Sequence, residues 1–496
     1  MNPNLSLFKK FKDTGKQSAI YGLGAILQPL AAFILLPLYT TALTPTDYGI
    51  LGLVVMTGKV LGVIFALGLR PGMFRSFYDY TEEKAQKVVV STTIILTAIS
   101  SLFLVLFGIL FSSPLAHWLL GSQTYQILLV IIIFSTVFNL FNQITFSIFR
   151  IQHQAKKYVL FQLSFFFIRV GIIIYMVSVM HLGVYGVLGG QLITAILSFI
   201  ILFKFTKYYL LPRFSVSEAK KMFQYGAPLI FVGLFGFIST YADRYIINYY
   251  MDLQEVGLYT LAYQLGMLMS ITLVTPTKLV WAPAFLSVKD YSNFKDFSAK
   301  ALTYLLFIGG FLFLGIALLS KEVLHIMSNP KYWSAYTIVP IIALTYLIWS
   351  TRSILEVGIT LKRKTSIIAL YMFIGAIINL FLNVLLIPSY GMTGAAYATL
   401  FSFTITLFID YFYNRRLLKI NYEWNRIIKL TITIATLFFI GYLSPFDNLY
   451  VSIAIKLLLI GLYPLLLLLI GFYSQAEILR IKQIALAVFS KAKGFI

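Results

Sequence analysis

Eight charged side chains fall inside stretches that are otherwise apolar: Lys59, Arg169, Asp243, Arg244, Arg352, Glu356, Asp410 and Lys456. A charge in hydrocarbon is costly unless it is paired, hydrated or bound to a partner. Lys59 and Arg169 sit near the middle of their runs, about 17 Å deep at 1.5 Å per residue, too far to snorkel easily. No acid lies at comparable depth in the first six runs. Two unmatched cations there point to a hydrated cavity that receives an anion. The alternative is cations satisfied by carbonyls and amides alone. Arg352 is grouped with them as a third cavity cation, although its spacing from Glu356 also permits a local i,i+4 pair. Asp243 and Arg244 lie near one end of their run, and with Glu356 they are candidates for a gate or for ion coupling. The plainer reading is that the Asp243–Arg244 pair snorkels. Asp410, close to Arg415 and Arg416, reads as an interfacial salt bridge, and Lys456 as a cation facing lipid.

Other residues could contact a polar substrate. Arg70, Arg75 and Lys278 crowd the ends of the second and eighth runs and suit a cavity entrance that recruits a phosphate; as single basic residues they also suit topology determinants. Asn139, Asn142 and Gln143 share one helix face, Asn379 and Asn383 another, and Gln28, Gln162, Gln191 and Gln264 add further amides. Such groups can bind sugar hydroxyls or hydrogen-bond between helices. Enzymatic chemistry is not legible. No Walker A sequence occurs, there is no cysteine, and the four His are scattered without metal-ligand spacing. No metal and no cofactor are expected.

These residues need elements to hold them. Over 496 residues, 59% are hydrophobic and only 11% charged, yet the net charge is +22. That balance excludes a water-soluble enzyme, a disordered chain, a disulfide scaffold and a nucleic-acid binder, and leaves a polytopic membrane protein. About 14 transmembrane helices are expected, near 17–40, 47–69, 88–112, 125–149, 158–180, 184–203, 225–248, 257–277, 301–320, 337–360, 366–387, 394–413, 430–444 and 449–472. The thirteenth is short. With these spans, 32 of the 39 Lys and Arg fall in segments on the N-terminal side, and only Lys321 and Lys331 on the other. The positive-inside rule then places both termini in the cytoplasm.

An internal repeat organises the spans. Tyr21-Gly22 and Tyr225-Gly226 open the first and seventh. Tyr185-Gly186-x-x-Gly189 and Tyr390-Gly391-x-x-Gly394 open the sixth and twelfth. Arg70 and Lys278, and Lys157 and Lys364, repeat at nearly the same offset, 204 to 208 residues. Two parallel six-helix lobes around a central cavity follow, an all-α architecture with two extra C-terminal helices. The expected divisions are an amphipathic N-terminus over 1–16, a first lobe over 17–203, a linker over 204–224, a second lobe over 225–413, a loop and appended helix pair over 414–472, and an amphipathic tail over 473–496. Ser215 to Glu218 reads as the N-cap of a short surface helix in the linker.

At this point the chain resembles the Wzx-type oligosaccharide and polysaccharide flippases of the multidrug/oligosaccharidyl-lipid/polysaccharide exporter superfamily. The resemblance lies in Tyr21-Gly22 with LLPLYTTALTPTDYGILGL (35–53), in YGVLGG (185–190), in ADRYIINYY (242–250) and in the YGxxGAA-like start at 390–396. It implies alternating access and transfer of a polyprenyl-diphosphate-linked oligosaccharide from the inner to the outer leaflet of a bacterial or archaeal cytoplasmic membrane. It implies basic cavity residues that hold the diphosphate, carried over here to Lys59, Arg169, Arg70 and Lys278. Membrane lipids, a glycan polymerase and export machinery are the implied partners, and a coupling ion, proton or sodium, is left unidentified. The first run lacks an intramembrane Arg or Lys, a departure from lipid II flippases. The rival readings are a cation-coupled drug exporter of the same superfamily and, from a different class, a membrane-embedded glycan polymerase or ligase.

Overall fold

The computed structural model describes residues 33–277, 281, 291–362, 364–444, 448–479 and 483. The expected N-terminal amphipathic segment, the first helix up to residue 32, Tyr21-Gly22, Lys278 and most of the tail lie outside them. The described secondary structure is helical. The first lobe contains α1 (Leu36–Ala42), α2 (Pro45–Phe65), α3 (Leu69–Phe77), α4 (Glu83–Leu120), α5 (Gln126–Ile151), α6 (Ala155–Ile174) and α7 (Gly183–Lys207). The second contains α8 (Val216–Tyr250), α9 (Leu253–Gly266), α10 (Tyr291–Met327), α11 (Val339–Leu355), α12 (Val357–Leu361) and α13 (Thr365–Leu417). The appended pair is α14 (Trp424–Leu443) and α15 (Leu449–Leu469). Twelve helices among the described residues are long and apolar enough to cross a membrane. One of them, α13, is two spans joined at Gly391, whose φ of +53° is not helical. The expected fourteen spans are thereby accommodated, the first being described only near its end.

Local chemistry sets several boundaries. At α2, Thr44 and Asp47 form a reciprocal capping box, with Asp47 Oδ2 accepting from the Thr44 amide at 3.0 Å. The acid bordering the second span is thus a helix cap. The expected span to residue 69 stops instead at Phe65, because Leu67 and Gly68 turn left-handed at φ +50° and +62°. Ser215 does cap a helix, accepting from the Glu218 amide at 3.3 Å. That helix is α8, of 35 residues, and not the short surface helix expected there. The thirteenth span is also longer than the sequence suggested, 20 residues in α14. At Gly391, the Glu255 carboxylate accepts from the Met392 amide at 2.9 Å and serves the freed N-terminus of the second half of α13. Its repeat counterpart Gly186 lies inside α7, and there the left-handed turn falls at Gly183, φ +52°.

The lobes meet at both ends of α2. A Cβ built on Gly49 would sit 1.9 Å from the Leu253 carbonyl oxygen, and one on Gly257 would sit 1.9 Å from that of Pro45. Tyr48 donates to Gln264 at 2.9 Å, and Tyr332 donates to the Leu43 carbonyl at 3.0 Å. At the opposite end, Gly68 and Gly226 bring α3 and α8 into backbone contact, each Cβ position falling 2.2 Å from the other's carbonyl oxygen. The appended pair packs on α10, where Lys456 Nζ lies 2.6 Å from Glu322 Oε1. Lys456, expected to face lipid, is therefore buried and paired.

Candidate functional site

Between the two contact zones, the first lobe encloses a cavity of about 630 Å³. Its walls come from α2, α5, α6 and α7, from the turn leading into α3, and from Leu229, Ile230 and Gly233 of α8. Lys59, Arg70 and Arg169 all line it, and among the described residues no Asp or Glu does. Each cation arrives on a different element. Lys59 stands less than two turns before the end of α2, so it is nearer that helix end than its apolar run suggested. Its ammonium lies 3.4 Å from the Tyr241 hydroxyl and 4.5 Å from that ring's centre, a cation–π contact from α8. Arg70 follows the Gly68 turn and lies within electrostatic range of Arg150 and Tyr158. Arg169 lies within range of Tyr39 in α1.

The amides expected on α5 are in the same cavity. Asn139, Asn142 and Gln143 line it, with Gln162 and Gln191. Asn142 donates to the Ala195 carbonyl at 3.0 Å and keeps its Oδ1 without a hydrogen-bond partner. Sequence reasoning missed three hydroxyls on the same wall, Thr136, Thr194 and Ser198. Thr136 precedes Asn139 by three residues, and Thr194 and Ser198 follow Gln191 by three and seven. That one-face spacing was the available signal.

Several expected site residues are elsewhere. Arg352 is not an open cavity cation. It is buried, with Nε 2.7 Å from Asp410 Oδ2 and 3.2 Å from Glu356 Oε2. Its guanidinium lies over the Trp349 ring at 4.7 Å. Asp410 is correspondingly a fully buried partner of Arg352, not an interfacial bridge to Arg415 or Arg416. Asn379 and Asn383 are fully buried and engaged with each other at 3.0 Å, and Asn379 also donates to Ser402 at 3.2 Å. They tie together the two halves of α13 and have no surface left for sugars. Arg75 does not line the cavity and faces Asp79 at 3.9 Å on the surface. Asp243 and Arg244 are each 1% exposed, so the pair does not snorkel. Asp243 accepts from Arg244 Nη1 at 2.7 Å and from the Tyr259 hydroxyl at 2.6 Å, and Tyr263 covers the guanidinium at 4.2 Å.

A cavity lined by cations and amides, with no acid among the described residues, suits an anionic, hydroxyl-rich solute. Residues 14–289 match the family model described as "Polysaccharide biosynthesis protein". The chain belongs to that family. Two relatives of the chain are archaeal. It is 24% identical over 255 residues to the probable low-salt glycan biosynthesis flippase Agl15 of Haloferax volcanii, a match covering 50% of this chain and 53% of the relative's length. It is 23% identical over 464 residues to an uncharacterised membrane protein of Methanocaldococcus jannaschii, covering 84% of this chain and 88% of the relative. Among solved structures, the lipid II flippase MurJ in an inward closed conformation superposes with a TM-score of 0.73 at 17% identity, over 90% of this chain and 97% of that one. An inward-facing multidrug resistance MATE family transporter gives 0.65 at 11% identity, over 78% and 94%. These likenesses establish the two-lobe all-helical fold of a multi-pass membrane protein.

Proposed function

We propose that the chain is a flippase that moves a polyprenyl-diphosphate-linked oligosaccharide from the inner to the outer leaflet of the cytoplasmic membrane by alternating access. The observation that carries this reading is the first-lobe cavity, where Lys59, Arg70 and Arg169 have no lining carboxylate among the described residues. Such a site favours an anion and disfavours a cationic drug. The name of the Haloferax volcanii relative supports it, as does the family's description. Both termini and the Arg70 end of the bundle lie on the cytoplasmic side in this reading. The anionic headgroup enters past Arg70, the amides and hydroxyls of α5 and α7 receive the sugars, and the lipid tail stays in the bilayer. With the inside negative, each negative charge moved outward gains about 2.3 kcal/mol per 100 mV. Work is done by binding and lobe rocking, without bond chemistry.

Complementation of a flippase-deficient strain tests this. Lys59→Ala combined with Arg169→Ala is expected to abolish surface glycan at normal expression and membrane insertion. Normal surface glycan in that variant overturns the reading.

A further inference from the structure

The three cavity cations are not at one level. Arg70 lies within electrostatic range of Arg150, at the end of α5, and of Tyr158, near the beginning of α6. Arg169 is on the same helix, eleven residues beyond Tyr158, an advance of about 17 Å along its axis. Its electrostatic neighbour is Tyr39 in α1. Tyr39 packs on Tyr48 with ring centres 6.2 Å apart, beside the Gly49–Gly257 contact at the far end of α2. A diphosphate is two phosphate tetrahedra sharing an oxygen, far too short to touch both ends. Lys59 lies between them, toward the Arg70 end.

The charge count points the same way. Lys59 and Arg70 match a diphosphate diester, one cation per phosphate, and Arg169 is left over. Among the described residues no Asp or Glu lines the cavity with Arg169, and residues 17–32 contain no acid in the sequence. Gln162, four residues beyond Tyr158 on α6, is an uncharged hydrogen-bonding group between the two levels, and Asn139, Gln143 and Gln191 line the same cavity.

We infer that Arg169 forms a second anion subsite, separate from the diphosphate subsite, which takes the carboxylate of an acidic sugar. The inference rests on the flippase reading and adds the class of glycan, an oligosaccharide with a uronic-acid-type residue separated from the diphosphate by neutral sugar. Its recognition is charge-assisted at both ends and neutral between, a geometry that fixes the orientation of the glycan along the cavity.

The test compares two probes on the full chain in nanodiscs. They are farnesyl-diphosphate-linked trisaccharides that differ only in whether the terminal sugar is glucose or glucuronic acid. Wild-type protein is expected to bind the acidic probe about tenfold more tightly, the ratio a single charge-assisted hydrogen bond gives. Arg169→Gln is expected to erase that ratio. Arg70→Gln is expected to weaken both probes alike. Arg169→Lys, which keeps the charge, retains the preference, and melting temperatures confirm that each variant is folded. Equal affinities for the two probes in the wild-type protein overturn the inference. So does an Arg169→Gln variant that weakens both probes equally, which would make Arg169 a second station for the diphosphate. Failure of both probes to bind the wild-type protein sinks the lipid-linked glycan reading, and this inference with it.

Discussion

Beyond α15, Glu477 accepts hydrogen bonds from Tyr304, from the Ser474 amide at 2.7 Å and from Arg426 at 3.0 and 3.1 Å. Burial alone would push its carboxyl up, but these donors outweigh it and hold the pKa at about 2, against an ordinary 4.5. A depressed carboxylate stabilises the fold above its unfolded value, and that contribution is lost as pH falls through the folded one. The junction at 471–479 should therefore stay docked above about pH 4.5 and loosen toward pH 2. Pepsin cleavage of the tail, measured across that window, is expected to rise steeply in the wild-type protein. Glu477→Gln should be cleaved readily throughout, and a flat, protected wild-type profile would refute the clamp. Single residues of this kind differ in how far sequence exposes them. Lys59 and Arg169 stand out because each is a charge in an apolar run. Arg352 stands out equally, yet its partner Asp410 comes from a helix far along the chain, and linear spacing shows only the Glu356 alternative. Asn379 and Asn383 share a face in sequence, but that the face is turned into the protein depends on the second half of α13 folding back over it.

At the scale of elements, the turn between α2 and α3 depends on Gly68. Its φ of +62° costs an L-residue about 1–2 kcal/mol, and an added Cβ would meet the Gly226 carbonyl oxygen at 2.2 Å. Gly68→Ala is expected to lower the melting temperature of the purified protein by several degrees and to part α3 from α8. Gly171→Ala is the control. Gly171 is helical, with nothing among the described residues within 4 Å of its Cβ position, so alanine there should be neutral or stabilising. If both variants melt alike, the contact is not a determinant of packing. Helix count and the two-lobe fold were readable because apolar runs report a membrane's thickness and the repeated landmarks report the pairing. Break points were not. Phe65 and Gly391 end their helices inside sequence that stays apolar, and Ser215 starts a helix that continues through the expected surface segment into the membrane.

For the whole molecule, the lobes must part at one end and then the other if a large polar solute is to pass. The Gly49–Gly257 end is where motion can be arrested. A Cβ built on Gly52 lies 3.6 Å from Thr260 Cβ, within the range a disulfide needs. The natural chain has no cysteine, so the pair Gly52→Cys and Thr260→Cys can be introduced without a competing thiol. Oxidation is expected to stop transport in reconstituted vesicles and reductant to restore it; undiminished transport by the cross-linked protein would exclude parting at this end. The cavity between the two contacts also bears on the membrane's energetics. A bilayer that stores energy as gradients of protons or metal cations is discharged by any wet path those ions can follow. Fixed positive charge at Lys59, Arg70 and Arg169, with no carboxylate lining the cavity among the described residues to pass a proton along, makes this interior an electrostatic barrier to cations. The same charges that would admit a bulky anion thus act as insulation, so a wide hydrated chamber can exist in the membrane without short-circuiting it.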